Sequence, residues 1–156
     1  MAISPIPDGY RSVTPYLIVD DAARALDFYA TVFGAVESVR MPMPGGKVGH
    51  AEIKIGDSMI MLADEMPEMG YSAPPTFGGT PVSLMLYVAD VDAQFAKAVA
   101  AGATVKVPLK DEFYGDRTGQ VTDPFGHVWI LSTHIEDVSP EEMERRMSLV
   151  FSVGQS

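Results

Sequence analysis

The sequence predicts an α+β fold in which one supersecondary unit occurs twice. The pattern begins at Thr14-Pro-Tyr-Leu-Ile-Val19 and again at Ser83-Leu-Met-Leu-Tyr-Val88. Each time, the apolar strand is followed by an acidic helix start, an amphipathic helix, a Gly-Ala pair and further strands. Self-similarity at a fixed offset indicates two copies of one structural unit. Two curled β-rich units would leave a concavity between them, where we expect the functional site.

Composition limits the class of protein. The chain has 156 residues, of which 47% are hydrophobic, so it is long enough to bury a core as one domain. It contains no cysteine, which excludes disulfides, thiolate metal sites and a cysteine nucleophile. The formal charge of −10 disfavours binding to nucleic acid. Neither a signal peptide nor a membrane-spanning apolar run is recognisable, so we expect a cytoplasmic protein without a membrane partner.

The first unit, residues 12–63, follows an extended arm at residues 1–11 and contains one helix. Asp20 and Asp21 suit a helix N-terminus, and Gly34 is a typical helix end. Apolar residues recur between them at spacings of three and four, which is the period of an amphipathic helix. The predicted elements are the strand Ser12–Val19, the helix Ala22–Phe33 and the strands Val36–Met43, Lys47–Ile55 and Ser58–Leu62.

Residues 64–80 are rich in proline and glycine and lack periodicity, so they form a linker between the units or a lid over a site. The second unit occupies residues 81–135. Its predicted elements are the strand Val82–Val88, the helix Asp90–Ala101 and the strands Thr104–Leu109, Arg117–Thr122 and His127–Thr133.

Residues 136–156 are predicted to form a short helix and a tail. Ser139-Pro-Glu-Glu142 is a capping box with proline at the first helical position. The helix is expected to continue to about Met147.

This order of elements, with Gly49-His-Ala-Glu-Ile-Lys-Ile-Gly-Asp57, Tyr114-Gly-Asp-Arg117 and Asp123-Pro-Phe-Gly-His127, resembles the vicinal oxygen chelate superfamily. That superfamily includes glyoxalase I, extradiol dioxygenases, and fosfomycin and bleomycin resistance proteins. The motifs are most similar to the PhnB-like branch, and the resemblance covers about residues 12–138. It implies that the duplicated βαβββ units form a curved, eight-stranded, half-open barrel.

The resemblance also implies a divalent metal held by four ligands, one from the first and one from the last strand of each unit. Transferred by register, those positions are Thr14, Met61, Ser83 and Ile130. A hard divalent cation needs oxygen or nitrogen donors, which methionine and isoleucine do not supply. We therefore expect no metal at the family position, and no cofactor.

Two residues of the third strand are candidates for catalysis. Ala51, Ile53 and Ile55 alternate with His50 and Glu52, so the polar pair shares the face opposite the helix. His50 and Glu52 can act as a base and its orienting carboxylate, or they can form an ordinary ion pair on a solvated face. In another alternative, His134 joins them as a relocated metal site of two histidines and one carboxylate.

Ligand-binding candidates lie in both units. Arg117 can hold an anionic group if Asp116 fixes its side chain, and Tyr114 can donate a hydroxyl or stack on a ring. A loop-anchoring salt bridge is the alternative for this pair of charged residues. Tyr16 and Met61 are expected to supply apolar wall. A pocket of this kind suits a small anionic or phenolic ligand.

Three functions remain open from the sequence. The first is binding or sequestering of a small organic molecule without metal. The second is an enzyme (a lyase, isomerase or dioxygenase) that uses the relocated site, or metal-free acid–base chemistry through His50 and Glu52. The third is a non-catalytic structural or regulatory dimer. We expect a homodimer in each case, because half-open sheets leave strand edges that proteins usually cover.

Overall fold

The computed structural model describes residues 2–152. The chain divides into two compact units. Unit 1 comprises the residues up to Pro81 together with Pro124–His127, and unit 2 comprises Val82–Asp123 together with the residues from Val128 onward.

Unit 1 contains a four-stranded mixed sheet in the order β1-β4-β3-β2, in which β1 runs parallel to β4 and the other pairs are antiparallel. Its elements are β1 (Tyr16–Val19), α1 (Ala22–Phe33), β2 (Val36–Pro42), β3 (Val48–Ile55), β4 (Ser58–Asp64) and the single-turn helix α2 (Pro74–Phe77).

Helix α1 begins and ends where its sequence predicts. The Asp21 carboxylate accepts a hydrogen bond from the backbone N–H of Arg24 at 3.1 Å, which satisfies one of the free donors of the first turn. Gly34 ends the helix in the left-handed conformation, at φ 68°. The apolar side of the helix, including Leu26 and Tyr29, is buried.

Asp64 explains why β4 is longer than predicted. Its side chain is 6% exposed and accepts hydrogen bonds from the backbone N–H groups of Ala22, at 2.9 Å, and Val48, at 2.6 Å. One buried carboxylate therefore ties the end of β4 to the starts of α1 and β3. This satisfies backbone donors that would otherwise lose solvent without a partner.

Unit 2 repeats the arrangement, with a four-stranded sheet in the order β5-β8-β7-β6 and β5 parallel to β8. Its elements are β5 (Ser83–Tyr87), α3 (Val91–Ala100), β6 (Thr104–Asp111), β7 (Asp116–Thr122), β8 (Val128–His134) and α4 (Pro140–Ser152). The duplicated βαβββ pattern is thus confirmed, and its eight strands form two four-stranded sheets.

Two boundaries differ from the prediction by more than two residues. β1 begins at Tyr16, not at Ser12, because Pro15 has no N–H to donate; only its carbonyl joins the ladder, accepting from Met61 at 3.0 Å. α4 continues past Met147 to Ser152, and its predicted cap is present, with the Ser139 hydroxyl accepting from the N–H of Glu142 at 3.2 Å. The tail predicted after this helix falls on residues 153–156, outside the described range. No helix within residues 2–152 is both long and apolar enough to cross a membrane.

Candidate functional site

The polar face of β3 carries the candidate site. Ala51, Ile53 and Ile55 are 0–3% exposed, so their face forms the core on the side of α1. His50 and Glu52 alternate with them and lie on the opposite, open face of the sheet, as the sequence predicts. Their side chains are only 23% and 16% exposed, so they are partly shielded from solvent.

A chain of hydrogen bonds joins three side chains on this face. The Tyr16 hydroxyl lies 2.8 Å from Nδ1 of His50, and Nε2 of His50 lies 3.3 Å from Oε2 of Glu52. The Tyr16 and His50 rings are tilted against each other with centroids 5.5 Å apart. We call this arrangement the Tyr16–His50–Glu52 chain. It is confined to unit 1.

The register of the sheet brings Met61 beside the chain. Met61 is the Cα partner of Tyr16 on one side and of Glu52 on the other, so its side chain shares their face. Four of the predicted site residues therefore share one surface of the first sheet: Tyr16, His50, Glu52 and Met61.

The chemistry of the chain follows from its donors and acceptors. The Glu52 carboxylate only accepts hydrogen bonds, so the proton of its contact with His50 belongs to Nε2. In a neutral imidazole the other nitrogen, Nδ1, is then an acceptor, and Tyr16 donates its hydroxyl proton to it. Burial, followed by the proximity of Tyr71, raises the pKa of Tyr16 above its ordinary value, so the phenol keeps that proton.

A cavity of 280 Å³ lies next to the chain in unit 1, and Tyr16 belongs to both. Residues 64–80, the predicted linker or lid, supply most of its wall. The lining residues are Tyr16, Ile18, Ser72, Pro74, Phe77, Gly79, Thr80, Pro81 and His127.

His127 has a structural role at the border of this cavity. Its Nε2 lies 2.9 Å from the backbone oxygen of Ile18, so the imidazole donates a hydrogen bond to the outer edge of β1. This bond fixes Pro124–His127 against the first sheet. The loop's Phe125 packs edge-on against Phe28 and Tyr29 of α1, with centroids 6.1 and 6.2 Å away.

Arg117 does not have the environment that the sequence suggested. Its guanidinium donates to both oxygens of Asp92, at 3.0 and 2.9 Å, and to Asp111 at 3.0 Å. Asp92 belongs to α3, so Arg117 lies on the helix side of the second sheet, and the expectation that Asp116 fixes it is wrong. Adjacent strand residues point to opposite faces, which separates Asp116 from Arg117. Arg117 does form salt bridges, but with Asp92 and Asp111 and not with its neighbour Asp116, as the alternative had it.

Asp116 instead forms a second polar chain, within unit 2. It is 4% exposed and accepts from the Tyr87 hydroxyl and from Nδ1 of His134, both at 2.7 Å. Nε2 of His134 contacts Asp137 at 2.7 Å. Hydrogen bonds to Asp116 and Asp137 raise the pKa of His134, because both carboxylates favour the imidazolium.

Sequence reasoning missed this cluster. The only available signal was the alternation that places His134 on the same strand face as Ser132, and it did not indicate the partner strand.

Tyr114 is half-exposed, with its ring edge-on to Phe113 at 5.3 Å. Burial raises the pKa of Tyr114, and the nearby Glu112 and Asp116 raise it further.

The side chains at the family's metal positions do not fit a divalent cation. Met61 offers a thioether and Ile130 a hydrocarbon, and in the sheets they are paired with Tyr16 and Met85, not with Thr14 and Ser83. Zinc, nickel and ferrous sites need nitrogen or oxygen donors when no thiolate is present.

The relocated metal site has no support among the described residues. Across residues 2–152, no three side chains of His, Asp or Glu come together in a way that could hold a metal ion. His50 is engaged by Tyr16 and Glu52, whereas His134 is engaged by Asp116 and Asp137.

The fold and the sequence together define the class of this protein. The profile of the glyoxalase/bleomycin resistance protein/dioxygenase superfamily matches residues 11–131, and the chain belongs to that superfamily. An uncharacterised protein of Mycobacterium bovis is 49% identical over 140 residues, which cover 88% of this chain and 92% of the relative.

Solved structures show the same fold. TioX from Micromonospora sp. ML1 is 29% identical, with a TM-score of 0.62 over 83% of this chain and 100% of that one. The PhnB protein from Bacillus cereus has a TM-score of 0.63 over 79% of this chain and 99% of that one; at 20% identity it supports the fold alone.

Proposed function

We propose that this protein binds a small organic molecule, without a metal, in the cavity beside the Tyr16–His50–Glu52 chain. The observation that carries the proposal is that Tyr16 is shared between the chain and the cavity. Small-molecule sites are typically concave and mainly apolar, with a few positioned polar groups. The cavity and the chain together have this composition.

The donor set supports binding without a metal. Thr14, Met61, Ser83 and Ile130 cannot replace the family's ligands, so polarisation of a substrate by the usual metal has no support in this chain. A hydrogen bond to the Tyr16–His50–Glu52 chain and contacts with the apolar wall remain as sources of affinity.

The binding proposal is tested with a thermal-shift screen of small aromatic compounds in the presence of a chelator. A specific ligand stabilises the folded state in proportion to the logarithm of its concentration over its Kd. Ser72→Phe fills the cavity and should remove the response. Ser152→Phe makes the same change at an exposed position of α4 in unit 2, outside both cavities, and should retain it. Equal responses from both variants would reject this cavity as the site.

Metal-free acid–base catalysis is the second candidate, because the same chain resembles a base with its orienting carboxylate. A carboxylate that holds an imidazole in one tautomer lets the other nitrogen take up a proton. Here that nitrogen faces a phenol, so any proton leaving a substrate would pass through Tyr16. Recovery of the bound molecule unchanged after prolonged incubation favours binding, whereas its conversion by wild type and not by His50→Gln favours catalysis.

We further propose that the protein acts in the cytoplasm and as a homodimer. The apolar side of α4 supports the dimer: Met147 is 47% exposed and Phe151 67% exposed, and both line a groove of 470 Å³. Exposed apolar patches of this kind are common at protein interfaces.

A further inference from the structure

We infer that the cavity beside Tyr16 selects a neutral ligand with an apolar ring body that donates a hydrogen bond, from O–H or N–H, to the Tyr16 hydroxyl oxygen. This inference deepens the proposed function and rests on it. It concerns the direction of one hydrogen bond.

The direction is imposed by Glu52. Because a carboxylate cannot donate, the proton between Glu52 and His50 is on Nε2. Nδ1 of the neutral ring is therefore an acceptor. The Tyr16 hydroxyl, 2.8 Å from this nitrogen, donates its only proton to it. Tyr16 has no proton left for a ligand.

What remains on Tyr16 is an acceptor. A hydroxyl oxygen has two lone pairs in addition to its one proton. A ligand hydroxyl or N–H can donate to this oxygen, whereas an ether or carbonyl would bring its own lone pairs against it. The Tyr16–His50–Glu52 chain thus distinguishes a ligand that donates a hydrogen bond from one of the same size that only accepts.

The charges around the cavity disfavour an anion. None of the nine residues that line it is lysine or arginine, and Nε2 of its one histidine, His127, is used in the hydrogen bond to the Ile18 carbonyl. The carboxylate in the adjoining chain is that of Glu52, which would repel a negative charge. Since Arg117 is held by Asp92 and Asp111, the sequence-based expectation of an anionic ligand loses its main support, while the phenolic alternative remains.

The wall sets the size of the ring body. Ile18, Pro74, Phe77 and Pro81 present apolar surface to the cavity. Its 280 Å³ is close to the lower end of the roughly 300–1,000 Å³ range of small-molecule sites. A ligand of one or two fused rings matches this volume.

The test compares matched ligands by isothermal calorimetry at mildly alkaline pH, where histidine is neutral. The first pair is 2-naphthol and 2-methoxynaphthalene, the second indole and 1-methylindole, and 2-naphthoate is the anionic probe. In wild type the O–H and N–H compounds should bind about 3- to 10-fold more tightly than their methylated partners, the range for one hydrogen bond. The naphthoate should bind more weakly than 2-naphthol.

Three variants test whether Tyr16 causes the preference. Tyr16→Phe removes the acceptor, so each pair should bind with equal affinity. Tyr10→Phe removes a hydroxyl from the N-terminal arm, outside the cavity lining, and should leave the preference unchanged. Glu52→Gln should reduce the preference, because an amide can also donate to Nε2 and release the Tyr16 proton.

The possible outcomes separate the inference from the proposed function. Equal binding of each pair to wild type, with loss of binding in Ser72→Phe, would overturn the donor rule and keep the cavity as a binding site. Tighter binding of 2-naphthoate than of 2-naphthol would overturn the neutral-ligand rule. Failure of all five compounds to bind would contradict both the inference and the proposed function.

Discussion

Tyr16, His50 and Glu52 each have a role set by their neighbour. Glu52 fixes the proton on His50, His50 takes the proton of Tyr16, and Tyr16 borders the cavity. These contacts make the hydroxyl of Tyr16 a hydrogen-bond acceptor towards the cavity, whereas the hydroxyl of an isolated tyrosine could donate or accept.

Asp116 is the residue whose replacement should affect stability most clearly in unit 2. It is buried and accepts from both Tyr87 and His134, so Asp116→Asn turns one acceptor atom into a donor that faces another donor. We expect a loss of about 1–3 kcal/mol in the free energy of unfolding, measured with urea. Asp137→Asn, at a fully exposed side chain, is the matched control and should change it much less.

The His134 contacts predict a pH dependence. Because Asp116 and Asp137 raise its folded-state pKa, the native protein binds more protons than the unfolded chain between the two pKa values. The contribution to stability is therefore complete below the ordinary histidine pKa and is lost as pH rises through the folded-state value.

Urea unfolding at a series of pH values checks the sign. The stability advantage of wild type over His134→Gln should shrink as the pH is raised from mildly acidic to alkaline. An advantage that grows over the same interval would contradict the assignment of both His134 contacts to an imidazolium.

The sequence identified part of the site, for a physical reason. Strand alternation predicts that His50 and Glu52 share the open face, and it is a local property. The bond from Tyr16 to His50 crosses the intervening strand β4, with strands about 4.8 Å apart, so it depends on the parallel register of β1 with β4. That register is set by tertiary structure. The sequence therefore indicated Tyr16 only as apolar wall.

At the scale of elements, the turn between β6 and β7 is tied to the segment that leads to α4. The Gly115 carbonyl accepts from the N–H groups of Ile135 and Glu136, at 2.9 and 3.0 Å. Arg146 of α4 completes the contact by donating to Glu136 and to the carbonyl of Phe113. The C-terminal helix α4 is thus attached to the β6–β7 turn of its own unit through a few polar contacts.

Gly115 should tolerate no side chain. Its φ is +102°, and an added Cβ would collide with the backbone oxygen of Glu136. We expect Gly115→Ala to lower the free energy of unfolding by about 2–4 kcal/mol, combining a disfavoured backbone conformation with a steric clash. Gly56→Ala is the control: it has positive φ but open space, and should cost only about 1 kcal/mol.

An element could be predicted from the sequence when the interactions that define it are between residues close together in the chain. Helix α1 was placed correctly because its cap, its period and its terminal glycine are all local signals. β4 was predicted too short because its end depends on Asp64, whose partners Ala22 and Val48 are distant in sequence. The environment of Arg117 was missed because its partner Asp92 lies 25 residues away, in another element.

At the scale of the whole molecule, the exposed side of α4 predicts self-association. Light scattering at micromolar concentration should give the mass of a dimer for wild type. Met147→Glu combined with Phe151→Glu should shift it to a monomer, because charges cannot be buried unpaired at an interface. Ser152→Glu, on the same helix, should leave the dimer intact. A wild-type monomer would refute the proposal.

The central claim is that this member of the superfamily holds an organic molecule without a metal. It is tested most directly by native mass spectrometry and elemental analysis of protein purified from its own cells. We predict one non-covalent organic molecule per chain, released on denaturation and missing from Ser72→Phe, with no stoichiometric zinc, nickel or iron. One equivalent of such a metal per chain, whose removal lowers the melting temperature and whose return restores it, would contradict the account.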